Sequence, residues 1–261
     1  MCIRDSPQAP LGRYQLAVAA KSKGETLFAA TRDFEIRKNS SPWQQIDAYS
    51  RRLSVDAVLE RIRENYPAAA ETGLSFAVLG DSRNGAQIFR QLLNQAAADG
   101  AQFAIVIGDL VANGRQAEYL EVAEILDQAP LPVLVAPGNH DYRNQGKLYY
   151  DRLFGRASYT FELGGYHFIV VDNATGRMTE AQLTRLEREL QNPLPKFVFA
   201  HYPPSTIPEY AWHSFSQGAA RFAALMEQYR PERVFLSHIH ALDRKTQNLS
   251  LIHISEPTRP Y

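Results

Sequence analysis

Pro132-Val-Leu-Val-Ala-Pro-Gly-Asn-His-Asp141 is the stretch that decides how this chain folds. The apolar run at residues 133–136 has the length and β-branched content of a strand, and a Pro-Gly turn stops it. Directly after the turn stand Asn139, His140 and Asp141, three side chains able to bind a metal or move a proton. The same order, apolar run and then polar cluster, recurs on both sides. SFAVLG precedes Asp81, FAIVIG precedes Asp109, KFVFA precedes His201, and RVFLS precedes His238-Ile239-His240. A strand followed by a loop ligand, repeated in this way, is how an α/β sheet gathers distant residues at the carboxyl edge of its strands.

Ligand chemistry gives the clusters a common reading. Carboxylates and an amide oxygen are hard donors, and neutral imidazole suits zinc, iron, manganese or nickel. Asp81, Asp109, Asn139, His201, His238 and His240 are too many for one tetrahedral ion. They match a pair of ions sharing a carboxylate at about 3.5–4 Å. Each cluster alone has a plainer reading, Gly-Asp as a turn or His201 as a core histidine. Their joint occurrence in order, each after an apolar run, favours the site. The His-x-His pair adds to this, because alternate strand residues share a face.

The blocks GDSRNG, GDLVANG, PGNHDY, AHYPP and SHIH resemble the signature of the calcineurin-like metallophosphoesterase family, over residues 74–241. The resemblance implies an α/β fold, a two-sheet β-sandwich core flanked by helices, and metal-dependent hydrolysis of a phosphoric mono- or diester by metal-activated water. It implies that Asp81 and His240 hold one ion, that Asp109 bridges, and that Asn139, His201 and His238 hold the other. One or two divalent transition metal ions, Mn, Zn, Fe or Ni, are therefore the expected cofactor. His140 would face the leaving group, with Asp141 as its orienting partner, and the partner molecule is a small phosphoester substrate.

The first block departs from the family's Asp-x-His, since Arg83 occupies the histidine position. Guanidinium stays protonated and offers no lone pair to a metal. The purple acid phosphatase branch also lacks this histidine and uses a tyrosine three residues after the bridging aspartate, but here that place is Ala112. Arg83 is expected either to clamp substrate phosphate with its planar fork or to pair with Asp81. A catalytically impaired relative acting as a binding or regulatory module is the alternative function. His213, beside Trp212, is a candidate substrate contact, whereas His167 reads as a packing residue and Arg115 and Arg143 as solvated neighbours of ligand loops.

Composition limits what else the chain does. It balances 28 Lys and Arg against 28 Asp and Glu in 261 residues, so it has no general attraction to nucleic acid or membrane. No apolar run approaches the about 18 residues of a membrane-spanning helix.

Both ends read as translated sequencing adapter: MCIRDS at residues 1–6 and the tail at residues 249–261. The authentic chain is then expected to be about residues 7–248, truncated at both ends, and the lone cysteine, Cys2, and His253 fall outside it. Residues 7–37 hold two alternating runs around KSKG, a hairpin or a partial N-terminal β-sandwich whose Tyr14 sits like a tyrosine corner. Residues 38–73 read as a helical linker, with Val55, Val58, Leu59 and Ile62 on one helical stripe. The domain bearing the clusters spans residues 74–248, with helices expected near 87–98, 116–127, 180–191 and 219–228. A sandwich preceding such a domain would fit an extracytoplasmic phosphatase.

Overall fold

A computed structural model describes residues 12–22, 25–36, 42–67, 73–83, 85–240, 243–247 and 250–254. The chain divides into two units, Met1–Trp43 and Gln44–Tyr261. In the first, β1 (Gly12–Ser22) and β2 (Glu25–Ile36) pair antiparallel, with a register shift at Ala20/Lys21. Residues 1–6, read above as adapter, and the tail beyond residue 254 lie outside the described residues.

Two helices follow, α1 (Pro42–Leu53), which belongs to the second unit from Gln44 onward, and α2 (Val55–Asn65). The Ser54 side chain caps α2 by accepting from the Ala57 amide at 3.4 Å. The stripe Val55, Val58, Leu59 and Ile62 is buried, as the i, i+3, i+4, i+7 spacing requires, and joins the core between the sheets.

Parallel strands β3 (Phe76–Leu79), β4 (Phe103–Ile107) and β5 (Val133–Ala136) form a three-stranded sheet. The larger sheet holds β6 (Tyr159–Leu163), β7 (Tyr166–Val170), β8 (Lys196–Phe199), β9 (Arg233–Leu236), β10 (Asp243–Gln247) and β11 (Ser250–Ile254), in the order β10-β11-β9-β8-β7-β6. Here β7, β8, β9 and β11 run parallel, while β6 and β10 are antiparallel to their neighbours. Gly164 and Gly165, both at positive φ, make the tight β6–β7 turn. Thus β11 comes from the tail segment read as adapter.

Every central strand divides its residues between two cores, which explains why the strand sequences are continuously apolar rather than alternating. On β4, Phe103, Ile105 and Ile107 enter the core between the sheets, and Ala104 and Val106 face the helix side. On β7, Phe168 and Val170 point inward, while Ile169 lies in the outer core with α6 (Glu180–Leu190) and α7 (Ala219–Tyr229). Aromatic rings fill the middle: Phe76 stacks on Phe103 at 5.5 Å and meets Phe168 edge-on at 5.4 Å. Phe103 and Phe168 are fully buried, and each contributes about 1.5–3 kcal/mol of transfer free energy.

The outer helices α3 (Ala86–Ala98), α4 (Gln116–Asp127), α6 and α7 lie where the periodicity puts them. Thr179 and Gln182 form the expected capping box on α6, with Gln182 N to Thr179 Oγ1 at 3.3 Å and Thr179 N to Gln182 Oε1 at 2.9 Å. A further helix, α5 (Gly146–Phe154), and a short 3₁₀ turn, Pro208–His213, are additions to the sequence expectation. The result is the α/β sandwich of two sheets flanked by helices. Among the described residues no helix is long and apolar enough to cross a membrane.

Candidate metal centre

All five polar clusters lie just beyond strand ends: Asp81 after β3, Asp109 after β4, Asn139-His140-Asp141 after β5, His201 after β8, and His238 and His240 after β9. Asp81, Arg83, Asp109, His238 and His240 are five of the seven non-glycine residues with positive φ among the described residues. Left-handed backbone is costly for such side chains, and it persists where surrounding structure enforces it, commonly at functional sites. Glycines make the close approach feasible. A Cβ on Gly108 would stand 2.5 Å from His201 Nδ1 and 2.8 Å from Gly138 Cα, and one on Gly138 would collide with Asp109 N and Oδ1.

Four side chains converge. His201 Nε2 lies 3.1 Å from Asn139 Oδ1, 3.2 Å from His238 Nδ1 and 3.4 Å from Asp109 Oδ1. Ligand atoms of Asp109, His201 and His238 all fall within 4.8 Å of one another. His201 is fully buried, and its Nδ1–H donates to the Ile107 carbonyl at 2.9 Å. That bond fixes the tautomer and leaves Nε2 with its lone pair toward the cluster, as in metal-ligating histidines. Burial first, and then His201, push the His238 imidazole down to about 3, so it is neutral at ordinary pH. His140 and His240 are also lowered, chiefly by burial.

Asp109 is held below the ordinary carboxylate value: burial alone would raise it, but His201, His140 and Arg83 and the bond from the His140 amide outweigh that. A carboxylate held below its ordinary value, an amide oxygen and imidazole nitrogens around one point are a donor set that fits a divalent transition metal.

Asp81 and His240 sit beside this cluster, with His240 Nε2 at 3.6 Å from Asp81 Oδ1. Asp81 Oδ2 accepts from the His238 amide at 3.1 Å and from the Ser237 hydroxyl. The Arg83 fork lies on Asp109 Oδ2, with Nε at 2.9 Å and Nη2 at 2.7 Å, and it also makes the expected pair with Asp81, Nη2 standing 3.9 Å from Asp81 Oδ1.

His140 is oriented by Ala112 rather than by Asp141. Its Nδ1–H donates to the Ala112 carbonyl at 2.6 Å, and its Nε2 lies 3.8 Å from Asp109 Oδ2. Asp141 is fully buried and accepts from the Gly138 amide at 2.7 Å and the Val111 amide at 3.1 Å, so it ties two ligand loops together. Burial, with Asp109 nearby, pushes its carboxyl well above the usual range, against those two amide bonds. His213 is exposed, its ring 5.6 Å from His238. His167 lies away from the cluster, buried on β7 between Glu162 at 3.8 Å and Glu189 at 3.3 Å. Arg143 reaches the Ala112 carbonyl at 3.4 Å.

Sequence reasoning missed two residues. Asn173, just past β7, accepts from the amides of His201 and Tyr202, both at 3.0 Å, and donates to the Tyr202 carbonyl at 2.9 Å. The Tyr202 ring packs 3.8 Å from that of His238. A polar Asp172-Asn173 pair ending an apolar strand was the available signal for the first.

The chain is 26% identical over 145 residues to a probable cyclic nucleotide phosphodiesterase of Fibrobacter succinogenes, a match covering 52% of this chain and 57% of that protein. It is 26% identical over 184 residues to glycerophosphodiester phosphodiesterase GpdQ of Enterobacter lignolyticus, covering 60% of this chain and 66% of that protein. The chain thus spans about 57–66% of the length of these relatives. Its fold superposes on a dimetal phosphatase from Danio rerio with a TM-score of 0.59 at 12% identity, covering 71% of this chain and 88% of that one. Purple acid phosphatase PPD1 of yellow lupin gives 0.57 at 13% identity, covering 93% of this chain and 49% of that one. Residues 74–242 match the family described as calcineurin-like phosphoesterase, and the chain belongs to that family.

Proposed function

We propose that this chain catalyses metal-dependent hydrolysis of a phosphoric ester, with diesters ahead of monoesters. The observation that carries the reading is the convergence of Asp109, Asn139, His201 and His238, carboxylate, amide and imidazole donors around one point. Two relatives whose names are those of phosphodiesterases support the diester preference. A divalent cation held there would supply Lewis-acid polarisation of a phosphoryl oxygen and lower the pKa of bound water.

The chain's own residues do the rest. Asp109, Asn139, His201 and His238 hold the ion, and Asp81 and His240 form the adjoining wall. His140 turns Nε2 toward the site, where its imidazolium form, with Nδ1–H still on the Ala112 carbonyl, donates the Nε2 proton to the departing oxygen. Asp141 keeps the loops of Val111 and Gly138 in register, so its part in turnover is positional. His213 and the exposed Trp212, whose rings lie 3.8 Å apart, stand at the rim as contacts for the leaving group.

The Arg83–Asp109 ion pair favours a second reading, a binding module without turnover. Incubation of the full chain with Mn²⁺ and either bis(p-nitrophenyl) phosphate or p-nitrophenyl phosphate separates the two. Release of p-nitrophenol, faster from the diester, supports the hydrolase; Mn²⁺ binding with no release from either ester supports the binding module.

A further inference from the structure

Asp109 presents its two carboxylate oxygens to different neighbours. Oδ1 lies 3.4 Å from His201 Nε2 and accepts from the His140 amide at 2.9 Å. Oδ2 accepts from Arg83 Nε and Nη2 at 2.9 and 2.7 Å. The Arg83 amide also donates to the Asp109 carbonyl oxygen at 2.9 Å, so arginine and aspartate are joined through both backbone and side chain. Arg83 takes a positive φ of 34° to do this. Its Nη2 stands 3.9 Å from Asp81 Oδ1, which puts one guanidinium beside two fully buried carboxylate side chains.

A guanidinium stays protonated, has no lone pair, and cannot share a carboxylate oxygen's inner position with a divalent ion. The donor set around Oδ1 fits a metal, whereas the side of Oδ2 and Asp81 is already met by a fixed positive charge. We propose that Arg83 is a built-in cation that takes the place of a second metal. The centre then holds one divalent ion, on Asp109 Oδ1, Asn139, His201 and His238. On the other side a phosphoryl oxygen meets guanidinium N–H donors. This inference rests on the metal-centre reading above and departs from a two-ion site.

The test is a count of ions. The full chain is stripped with chelator and titrated with Mn²⁺ alone, with elemental analysis for stoichiometry and electron paramagnetic resonance for coupling between ions. The expected result is one Mn²⁺ per chain with the spectrum of an isolated ion. Arg83→His should bind a second Mn²⁺ and show a coupled pair, and Arg83→Lys, which keeps the charge, should stay at one. Two ions or a coupled pair in the parent chain overturns the inference, as does an Arg83→His protein that folds and remains at one ion. Should that variant fail to fold, the parent count still decides. Binding of no ion sinks both the inference and the metal-centre reading, whereas one ion without ester hydrolysis upholds the inference and sinks only the hydrolase.

Discussion

The amide side chain of Asn173 clasps the loop of His201, accepting from the His201 amide at 3.0 Å and, with the same oxygen, from the Tyr202 amide at 3.0 Å. A residue that touches no proposed ligand atom thereby sets where a ligand stands. Asn173→Ala should lower Mn²⁺ affinity by about 10–100-fold, the range for lost outer partners of ligands. Isothermal titration measures it, and an unchanged affinity would show that the loop holds itself.

The role of His140 shows in the leaving group. His140→Ala should slow esters of poor alcohol leaving groups about 10²–10⁴-fold, the usual worth of general acid catalysis, and slow activated aryl esters much less. Rates on an alkyl and a nitrophenyl ester give the comparison. Equal losses on both would assign His140 to positioning.

Trp212 is 79% exposed, although it is a large aromatic side chain next to His213. Trp212→Ala should raise KM for aryl or nucleoside esters about 2–10-fold, matching the roughly 0.5–1.5 kcal/mol of an aromatic pair, and leave an alkyl ester unaffected. A KM that moves equally for both substrates would remove Trp212 from substrate recognition.

Phe168 tests the frame rather than the site. It is fully buried and stacks on Phe161 at 4.5 Å, so Phe168→Ala should cost about 3–5 kcal/mol in urea unfolding. A cost under about 1 kcal/mol would mean that the sheets do not pack through this ring.

Strands and the polar clusters at their ends were legible in the sequence because both are local: an apolar run such as FAIVI ends at Gly108, and Asp109 follows at once. Helix α5 escaped notice because it begins at Gly146 without a side-chain cap, after loop-like Arg-Asn-Gln. Asp141 shows a different limit. Its place beside His140 in the chain suggested a shared task, but the strand-end turn sends its carboxylate to the amides of Val111 and Gly138 while the His140 ring turns to Ala112. Arg83 likewise sits two residues from Asp81 in sequence yet bonds Asp109, because the loop brings its amide onto the Asp109 carbonyl and carries the fork with it. Spacing along a chain locates the backbone, but the direction of a long side chain depends on packing that only three dimensions supply.

The most direct test of the account is hydrolysis of bis(p-nitrophenyl) phosphate by the full chain with Mn²⁺, after chelation, after Mn²⁺ is restored, and in His201→Ala. His201 Nε2 lies within 3.4 Å of Asn139, His238 and Asp109 together. The account predicts turnover that vanishes with chelator, returns with Mn²⁺, and is absent in a folded His201→Ala protein along with its Mn²⁺ binding. Turnover that survives chelation, or a His201→Ala protein that hydrolyses the diester at the parent rate, would contradict it.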